Sequence, residues 1–296
     1  LTNQQFLTEF SAQIKPHLTK DTDFVFSPET YFAEGYGEEL KSFDQTILYQ
    51  KMLGEVVEFP NLQWVTGIQF YDLYKQVKSP SLSANKVRNG LWVDYYNSAL
   101  AIQSREEEQI YHKSKLVVGI ENMPMKSVLK PILGDVLINL GGTVASRVTQ
   151  KNRDVFYNPR LDINVGPIIC WESVFGEFTT AYVKEGADFL AVITNDAWWG
   201  NTPGHKQLLS YTRLRAIETR RDIVRSANTG ISALINARGE ILKQTGYDTK
   251  TVLSGSVAPR KGLTFYTRYG DIIGRWAIFI AGIYFLLAIS GRLREN

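Results

Sequence analysis

The sequence contains few of the residues that most readily identify a function. Its 296 residues include one cysteine, Cys170, and three histidines that lie far apart in the chain. A single cysteine excludes an intrachain disulfide framework, and no Cys/His spacing matches a zinc site, so we expect neither a metal nor a cofactor. The net charge of +3 is small and no stripe of lysine and arginine stands out, which argues against a nucleic-acid partner.

The beginning of the chain also lacks familiar features. Leu1 is not a methionine, and no charged-then-apolar signal sequence follows it. We therefore expect the sequence to be the downstream part of a longer protein.

The chain does contain apolar segments with two different periodicities. Phe6, Phe10 and Ile14 have helical spacing, and further helices are predicted over about Ser173–Glu185 and His205–Arg221. Strand-like segments lie between them: Phe24–Phe26, "NLQWVTGIQFYD", "KVRNGLWVDYYNSALAIQ" with a turn at Asn89-Gly90, "RLDINVGPIIC", "FLAVITN", and a hairpin that turns at Ala237–Gly239. Strands that alternate with helices indicate an α/β domain.

The C-terminal segment has a different composition. Trp276–Ile289 contains fourteen residues without a charge, and Ile272–Gly274 extends the apolar run if Arg275 snorkels, to the ~18–20 residues that span a bilayer. A fourteen-residue run by itself is also typical of a buried helix. Because this helix would be apolar on every face, we favour a transmembrane helix.

Three residues at predicted strand ends are candidates for chemistry. Cys170 ends an apolar strand before a helix, where the helix dipole favours a thiolate. Glu29 follows a strand that stops at Ser27-Pro28, and Lys113 precedes the apolar residues "LVV". Taken singly, each is more simply explained as a packed cysteine, a solvated carboxylate or a solvated lysine. Together they supply a nucleophile, a base and a cation for an oxyanion.

The motifs around these residues resemble a known family. "SPE" at 27–29, "YHKSKLVVGIE" at 111–121, "GPIICWESVFGE" at 166–177 and "ITNDAWWG" at 193–200 are similar to the Glu-Lys-Cys pattern of the nitrilase, or carbon–nitrogen hydrolase, superfamily. The segment from Thr194 to Glu240 resembles in particular its apolipoprotein N-acyltransferase branch. The resemblance covers about Asp23 to Gly239 together with the C-terminal apolar segment.

The resemblance implies an architecture and a location. Residues 1–258 would form a four-layer αββα sandwich of the nitrilase type whose opening strand, with several membrane helices, is expected to precede Leu1. Residues 259–271 would be a connector, 272–291 one C-terminal transmembrane helix and 292–296 a cytoplasmic tail. The protein would be a monomer in the bacterial inner membrane, with the catalytic domain facing the periplasm.

The resemblance also assigns roles to individual residues. The resemblance implies that Cys170 is the nucleophile, that Glu29 is the general base and that Lys113 is the cation that stabilises the oxyanion. It further implies that Glu121 assists the lysine, that Glu172 is an acidic residue near the nucleophile, and that the backbone N–H of Trp171 is an oxyanion donor. Trp198 and Trp199 are either core aromatics or an apolar lip that binds acyl chains. The basic run at 213–221 is better explained by ion pairs involving Glu218 than by phospholipid headgroups.

The expected activity is transfer of an acyl chain from a membrane phospholipid, through a thioester on Cys170, to the α-amino group of the diacylglyceryl-cysteine of an apolipoprotein. The alternative is a soluble amidase or nitrilase that uses the same triad on a small amide. A third reading is a membrane-anchored binding protein in which Cys170 is only a core residue. The acyl-chain, headgroup and acceptor preferences stay open at this point.

Overall fold

The computed structural model of the protein describes residues 2–81, 83–117, 121 and 146–295, and within them the chain forms two six-stranded β-sheets. The strands of the first sheet are β1 Phe24–Phe26, β2 Glu38–Glu39, β3 Gln63–Lys75, β4 Asn85–Arg88, β5 Leu91–Gln103 and β6 Gln109–His112. Those of the second are β7 Phe156–Asn158, β8 Ile163–Ile169, β9 Phe189–Asn195, β10 Ile223–Asn228, β11 Ala233–Ile235 and β12 Ile241–Gln244.

The first sheet is organised around an antiparallel pair of long strands. β3 and β5 pair along their full length, from Gln63 opposite Gln103 to Lys75 opposite Leu91. β1 and β2 run parallel to β3 along its free side, whereas β4 and β6 are antiparallel to β5. The predicted Asn89-Gly90 turn joins β4 to β5, and Gly90 has the positive φ of 73° that such a turn requires.

The second sheet has a parallel centre with antiparallel strands on both sides. β8, β9 and β10 are parallel neighbours, and the order of the whole sheet is β12-β11-β10-β9-β8-β7. The predicted hairpin turn at Ala237–Gly239 joins β11 and β12. Because the C-terminal ends of β8 and β9 lie at the same edge, the residues that follow them, Cys170 and Asp196, are brought to that edge.

Helices pack on the outer faces of both sheets. The first sheet is covered by α1, Asn3–Ile14, and α2, Ile47–Val56, whose buried faces contact Trp64 and Ile68. The second is covered by α3, Gly176–Lys184, and α4, Pro203–Thr219.

The two sheets also contact each other. The ring of Phe24 on β1 lies 5.2 Å from that of Phe189 on β9. These packing contacts confirm the predicted α/β class.

One sequence expectation about a helix needs correction. The helix expected from Ser173 begins at Gly176, because Cys170–Val174 forms a separate 3₁₀ helix directly after β8. The helix expected from about His205 is present as α4, and His205 is buried in its first turn.

The C-terminal segment forms two further helices. α5, Phe265–Tyr269, falls within the expected connector, and α6 spans Ile272–Glu295. Within the described residues α6 is the one helix whose length and composition would allow it to cross a membrane: Ile272–Ser290 has a mean hydropathy of 2.1 and no buried residue. Glu177 on α3 fixes the start of α6, since its carboxylate accepts from Asp271 N at 2.7 Å and pairs with Arg275 at 2.7 Å.

Candidate active site

A cavity of about 550 Å³ brings together most of the residues singled out in the sequence. Seven of the eight predicted site residues line it: Glu29, Lys113, Glu121, Cys170, Trp171, Trp198 and Trp199. The eighth, Glu172, does not line the cavity. The remaining wall is formed by Thr30, Ala33, Tyr36, Gln69, Tyr95, Asn97, Val117, Arg147 and Asn195.

The centre of the site is a buried ammonium between two carboxylates. Lys113, directly after β6, is 1% exposed, and its Nζ lies 2.8 Å from an oxygen of Glu29 and 2.8 Å from one of Glu121. Asn97 on β5 donates to both carboxylates, at 2.8 Å and 2.9 Å. The solvated readings of Glu29 and Lys113 are therefore wrong, because both side chains are buried and paired.

Lys113 and Glu121 hold each other in the ionised form. Burial acts to lower the pKa of Lys113, but the charges of Glu29 and Glu121 outweigh it, so the pKa of the lysine is raised. Burial acts to raise the pKa of Glu121, and the nearby Lys113 more than reverses this, so that pKa is lowered. The lysine is thus a fixed positive charge next to Cys170.

Glu29 is positioned by a close approach of two backbones. A Cβ on Gly67 of β3 would lie 2.4 Å from Pro28 O, 2.4 Å from Thr30 N and 2.5 Å from Glu29 Cα. Glycine therefore lets the turn at 28–30 lie directly on the strand, and Gly67 N donates to Pro28 O at 3.0 Å. The turn is tight enough that Thr30 has a positive φ of 47°.

The hydrogen bonds of Glu29 leave room for a proton. A carboxylate has about four acceptor positions. Within the described residues, Lys113 and Asn97 donate to Oε1 and the backbone N–H of Asn195 donates to Oε2 at 2.9 Å. No other described residue donates to Oε2, which can therefore accept a proton from a reacting group.

Cys170 has a strained backbone and a buried side chain. It is the first residue of the 3₁₀ helix and has a φ of 51°, a left-handed conformation that costs energy for any residue except glycine. Burial and the charge of Glu29 raise the pKa of the thiol to about 12, against the opposing effects of Lys113 and a hydrogen bond with Thr194. The resting group is therefore a thiol that needs a base.

Glu172 fastens the segment around the nucleophile. Its buried carboxylate accepts from the backbone N–H of Ile169 at 2.8 Å and of Ser114 at 2.6 Å, and from the hydroxyl of Tyr111 at 2.7 Å. Burial raises the pKa of this carboxyl despite those donors. The contacts tie the end of β8 to the residue that follows Lys113, and a catalytic role for Glu172 stays a prediction.

The three tryptophans form one aromatic side of the cavity. Trp171 stacks on Trp199 with a ring-centre distance of 6.4 Å, and Trp198 is 61% exposed. Trp198 and Trp199 are therefore not core residues, and their role as an apolar lip for acyl chains stays a prediction. The other expected contact in this region is also present, since Arg215 pairs with Glu218 at 3.0 Å.

Sequence reasoning missed several residues that build the site. Asn97 lies within a strand and reads there as an ordinary polar position. Asp196, fully buried directly after β9, accepts from Thr194 at 2.8 Å and pairs with Arg225 at 2.9 Å. The one usable signal was Gly67, because an isolated glycine in a strand often marks the close approach of another backbone.

The other titratable side chains supply no alternative centre in the described part of the chain. None of the three histidines is among the residues that line the cavity. Burial lowers the pKa of His112 to about 4, and its ring contacts Ser98 instead. Among the described residues, no group of three or more His, Cys, Asp or Glu is placed to hold a metal ion.

Comparison with known proteins identifies the family of the chain. The family model of the carbon–nitrogen hydrolases matches residues 83–261, which is more than half of the chain. The chain belongs to the carbon–nitrogen hydrolase family. Among solved structures, the chain resembles an amidase from Nesterenkonia sp. with a TM-score of 0.57 and 14% identity, over 93% of this chain and 91% of that one. It also resembles a superfamily protein from Xanthomonas campestris, with a TM-score of 0.58 and 13% identity over 87% and 85%.

Curated relatives give a narrower similarity. A protein from Geobacter metallireducens named apolipoprotein N-acyltransferase is 35% identical over 70% of this chain and 38% of its own length. One of the same name from Haemophilus influenzae is 32% identical over 96% of this chain and 53% of its own length. The carbon–nitrogen hydrolase chain described here thus spans about half, or less, of the length of these relatives.

Replacing Gly67 with alanine tests how Glu29 is positioned. In Gly67→Ala the new Cβ displaces the 28–30 turn, and a shift of about 1 Å in a catalytic group costs on the order of 100-fold in rate. We expect the burst of p-nitrophenol from a p-nitrophenyl ester to slow by that factor, with the far-ultraviolet circular dichroism spectrum retained.

The matched control is Gly54→Ala on α2, where a Cβ meets no atom within 4 Å. This variant should keep the burst rate and gain helix stability. Equal burst rates in the two variants would mean that the turn does not position the base.

Replacing Glu29 with glutamine separates the two effects of this carboxylate on Cys170. Because the Glu29 charge raises the pKa of the thiol, its removal lowers that pKa and increases the thiolate fraction at pH 8. We expect Glu29→Gln to react several-fold faster with iodoacetamide, yet to show an ester burst roughly 10²–10⁴-fold slower because the general base is lost.

Glu107→Gln, at an exposed residue, is the control and should leave the alkylation rate and the ester burst rate unchanged. A parallel fall of alkylation and ester burst in Glu29→Gln would contradict the assignment of Glu29 as the base.

Proposed function

We propose that the protein is an N-acyltransferase that carries an acyl chain from a membrane phospholipid to the α-amino group of an apolipoprotein. The observation that carries the proposal is the meeting of Cys170, Glu29 and Lys113 at one cavity in a chain with 32–35% identity to proteins named apolipoprotein N-acyltransferase. Its acceptor is the diacylglyceryl-modified cysteine of the apolipoprotein.

The first half-reaction acylates the cysteine. Glu29 takes the proton of Cys170 as the sulfur attacks the ester carbonyl carbon of the phospholipid. The positive charge of Lys113 and the backbone N–H of Trp171 stabilise the oxyanion of the tetrahedral intermediate. The ester C–O bond then breaks, the lysophospholipid oxygen takes the proton back from Glu29, and a thioester remains on Cys170.

The second half-reaction transfers the acyl group to nitrogen. The neutral α-amine of the lipoprotein cysteine attacks the thioester carbonyl, and Glu29 accepts the proton that the new amide nitrogen releases. The C–S bond breaks, and the departing sulfur regains a proton from Glu29. The raised pKa of Cys170 suits this cycle, because the thiol is restored after each turnover.

The proposed setting is the periplasmic surface of the bacterial inner membrane, with α6 as the transmembrane helix. The two sheets and their outer helices fit the four-layer αββα sandwich expected for residues 1–258. The exposed apolar surface of α6 and the exposed Trp198 beside the cavity support contact with lipid. We further propose that the protein acts as a monomer without a cofactor.

A second candidate function is hydrolysis of a small amide by the same triad. The fold likeness to the Nesterenkonia amidase favours this candidate. Two observations favour the acyltransferase: the identity to the curated relatives, and an apolar α6 for which a soluble amidase has no use.

Intact mass spectrometry tests the central step of the proposal. The full-length protein, incubated in detergent micelles with a phospholipid of known acyl chains, should gain the mass of one acyl group. The adduct should be on Cys170 and should disappear when a diacylglyceryl-modified lipopeptide with a free α-amine is added.

Cys170→Ala is the control and should gain no mass. A wild-type protein that gains no acyl group from phospholipid but releases ammonia from small amides would replace the acyltransferase by the amidase.

A charge in the middle of α6 tests the membrane assignment. Ile283 is 44% exposed on α6. An aspartate at the centre of a transmembrane helix costs about 2.5–3.5 kcal/mol on insertion, so Ile283→Asp, expressed as the 296-residue chain, should shift from the carbonate-resistant membrane fraction toward the soluble one.

Leu263→Asp provides a matched control, because Leu263 is 41% exposed but precedes both C-terminal helices. Its fractionation should equal that of the unsubstituted chain. An identical distribution of all three proteins would show that α6 does not enter the bilayer.

A further inference from the structure

One wall of the cavity contains a cation that the chemistry at Cys170 does not use. Arg147 lines the cavity and pairs with Tyr95 of β5 through an isolated β-bridge. Its backbone is held there because Val148 N donates to Tyr95 O at 2.9 Å. Its guanidinium donates to Oε1 of Gln69 on β3 at 3.1 Å, and this contact directs the side chain across the sheet surface.

The charge of Arg147 is not neutralised by the part of the chain that the structure describes. The acidic residues among the described part of the cavity wall, Glu29 and Glu121, are both paired with Lys113. No carboxylate among the described residues forms an ion pair with Arg147. The reactive centre itself has two carboxylates and one ammonium, so it has an excess negative charge that would repel an anionic substrate.

The register of the first sheet sets how far Arg147 lies from that centre. Gln69 is directly opposite Asn97, which contacts both Glu29 and Glu121. Tyr95 precedes Asn97 by two residues on β5 and so faces the same side of the sheet, roughly 7 Å along the strand. Arg147 is the neighbour of Tyr95 and donates to Gln69, so it lies beside the reactive centre.

A glycerophospholipid carries its phosphate within a comparable reach of its esters. Its phosphorus is separated from its two ester carbonyl carbons by five and six covalent bonds, which is roughly 6–7 Å when extended. Arginine binds phosphate with two parallel hydrogen bonds, and only one contact of this guanidinium, to Gln69, is made within the described residues.

We propose that Arg147, oriented by Gln69, binds the phosphate of the phospholipid acyl donor and thereby aligns its ester carbonyl with Cys170. The inference rests on the proposed function and assigns to it a residue that determines donor specificity. The positive charge of Arg147 would compensate the negative charge of a bound phosphate. Without this arginine, Glu29 and Glu121 would repel the same phosphate.

The two half-reactions should depend differently on Arg147. The phosphate is present only while the phospholipid is bound, and it leaves with the lysophospholipid. The attack of an amine on the thioester therefore involves no group that Arg147 recognises. A purely structural arginine would affect both half-reactions together.

The test compares Arg147→Gln with the wild type in the full-length protein in detergent micelles. Two donors with the same acyl chain are used, a glycerophospholipid and a p-nitrophenyl ester that has no phosphate, and acylation of Cys170 is followed by intact mass. With the phospholipid, kcat/KM for acylation should fall at least about tenfold in Arg147→Gln, mainly through KM. With the p-nitrophenyl ester, the two proteins should be acylated at rates within about twofold of each other.

Two further variants complete the comparison. Arg147→Lys keeps the charge but loses the planar fork, so it should recover part of the phospholipid rate. Arg160→Gln removes an exposed arginine that does not line the cavity and should behave as wild type with both donors. Release of the acyl group from preformed thioester to a lipopeptide amine should be equal in all four proteins.

The possible failures are distinguishable. Equal losses with both donors, or no loss with either, in Arg147→Gln would overturn the phosphate assignment while leaving the acyltransferase intact. A wild type that is acylated by the p-nitrophenyl ester but not by the phospholipid would overturn the proposed donor, and the role of Arg147 with it.

Discussion

The site depends on the burial of the Lys113 ammonium between Glu29 and Glu121. The three charges come from separate segments, and each is costly to bury without its partners. Removal of one partner from such a buried group costs about 3–5 kcal/mol. The fold must therefore hold all three segments together, and Asn97 contributes by donating to both carboxylates. A centre built in this way leaves its charges little freedom to reorganise, which is the condition for stabilising an oxyanion efficiently.

Cys170, the proposed nucleophile, is attached to this centre through Glu172 and not only by its own strand. The Glu172 carboxylate accepts from Ile169, just before Cys170, and from Ser114, just after Lys113. Because one buried carboxylate binds both backbones, a displacement of the lysine segment is transmitted to the nucleophile. The same anchoring offsets the strain of the left-handed backbone at Cys170. In the proposed mechanism Glu172 is accordingly a positioning residue.

The sequence predicted the parts of the site that depend on strand ends. Phe24–Phe26, β8 and β9 were recognisable from apolar composition and flanking polar residues, and these strands place Glu29 and Cys170 correctly. The sequence did not predict Asn97, because a polar residue in a strand ordinarily faces solvent, and here the side chain is buried where it donates to Glu29 and Glu121. The sequence also did not predict the 3₁₀ helix at Cys170–Val174. Helix propensity over 173–185 does not indicate the left-handed backbone conformation at Cys170. Both errors arise from tertiary contacts that local periodicity does not encode.

The hydrolase and acyltransferase readings share the first half-reaction and differ in what reaches the thioester next. A hydrolase admits water to the thioester, whereas an acyltransferase must exclude it until an amine arrives. The structure offers a physical basis for exclusion if α6 spans the bilayer. The 3₁₀ helix that begins at Cys170 leads directly into α3, and Glu177 in the first turn of α3 binds both Asp271 and Arg275 at the start of α6. Because Glu177, which holds the start of this helix, is close in sequence to Cys170, a membrane-spanning α6 would set the distance of Cys170 from the lipid surface. The exposed Trp198 on the cavity wall would then meet acyl chains instead of water, and the same contact that supplies the donor would protect the thioester.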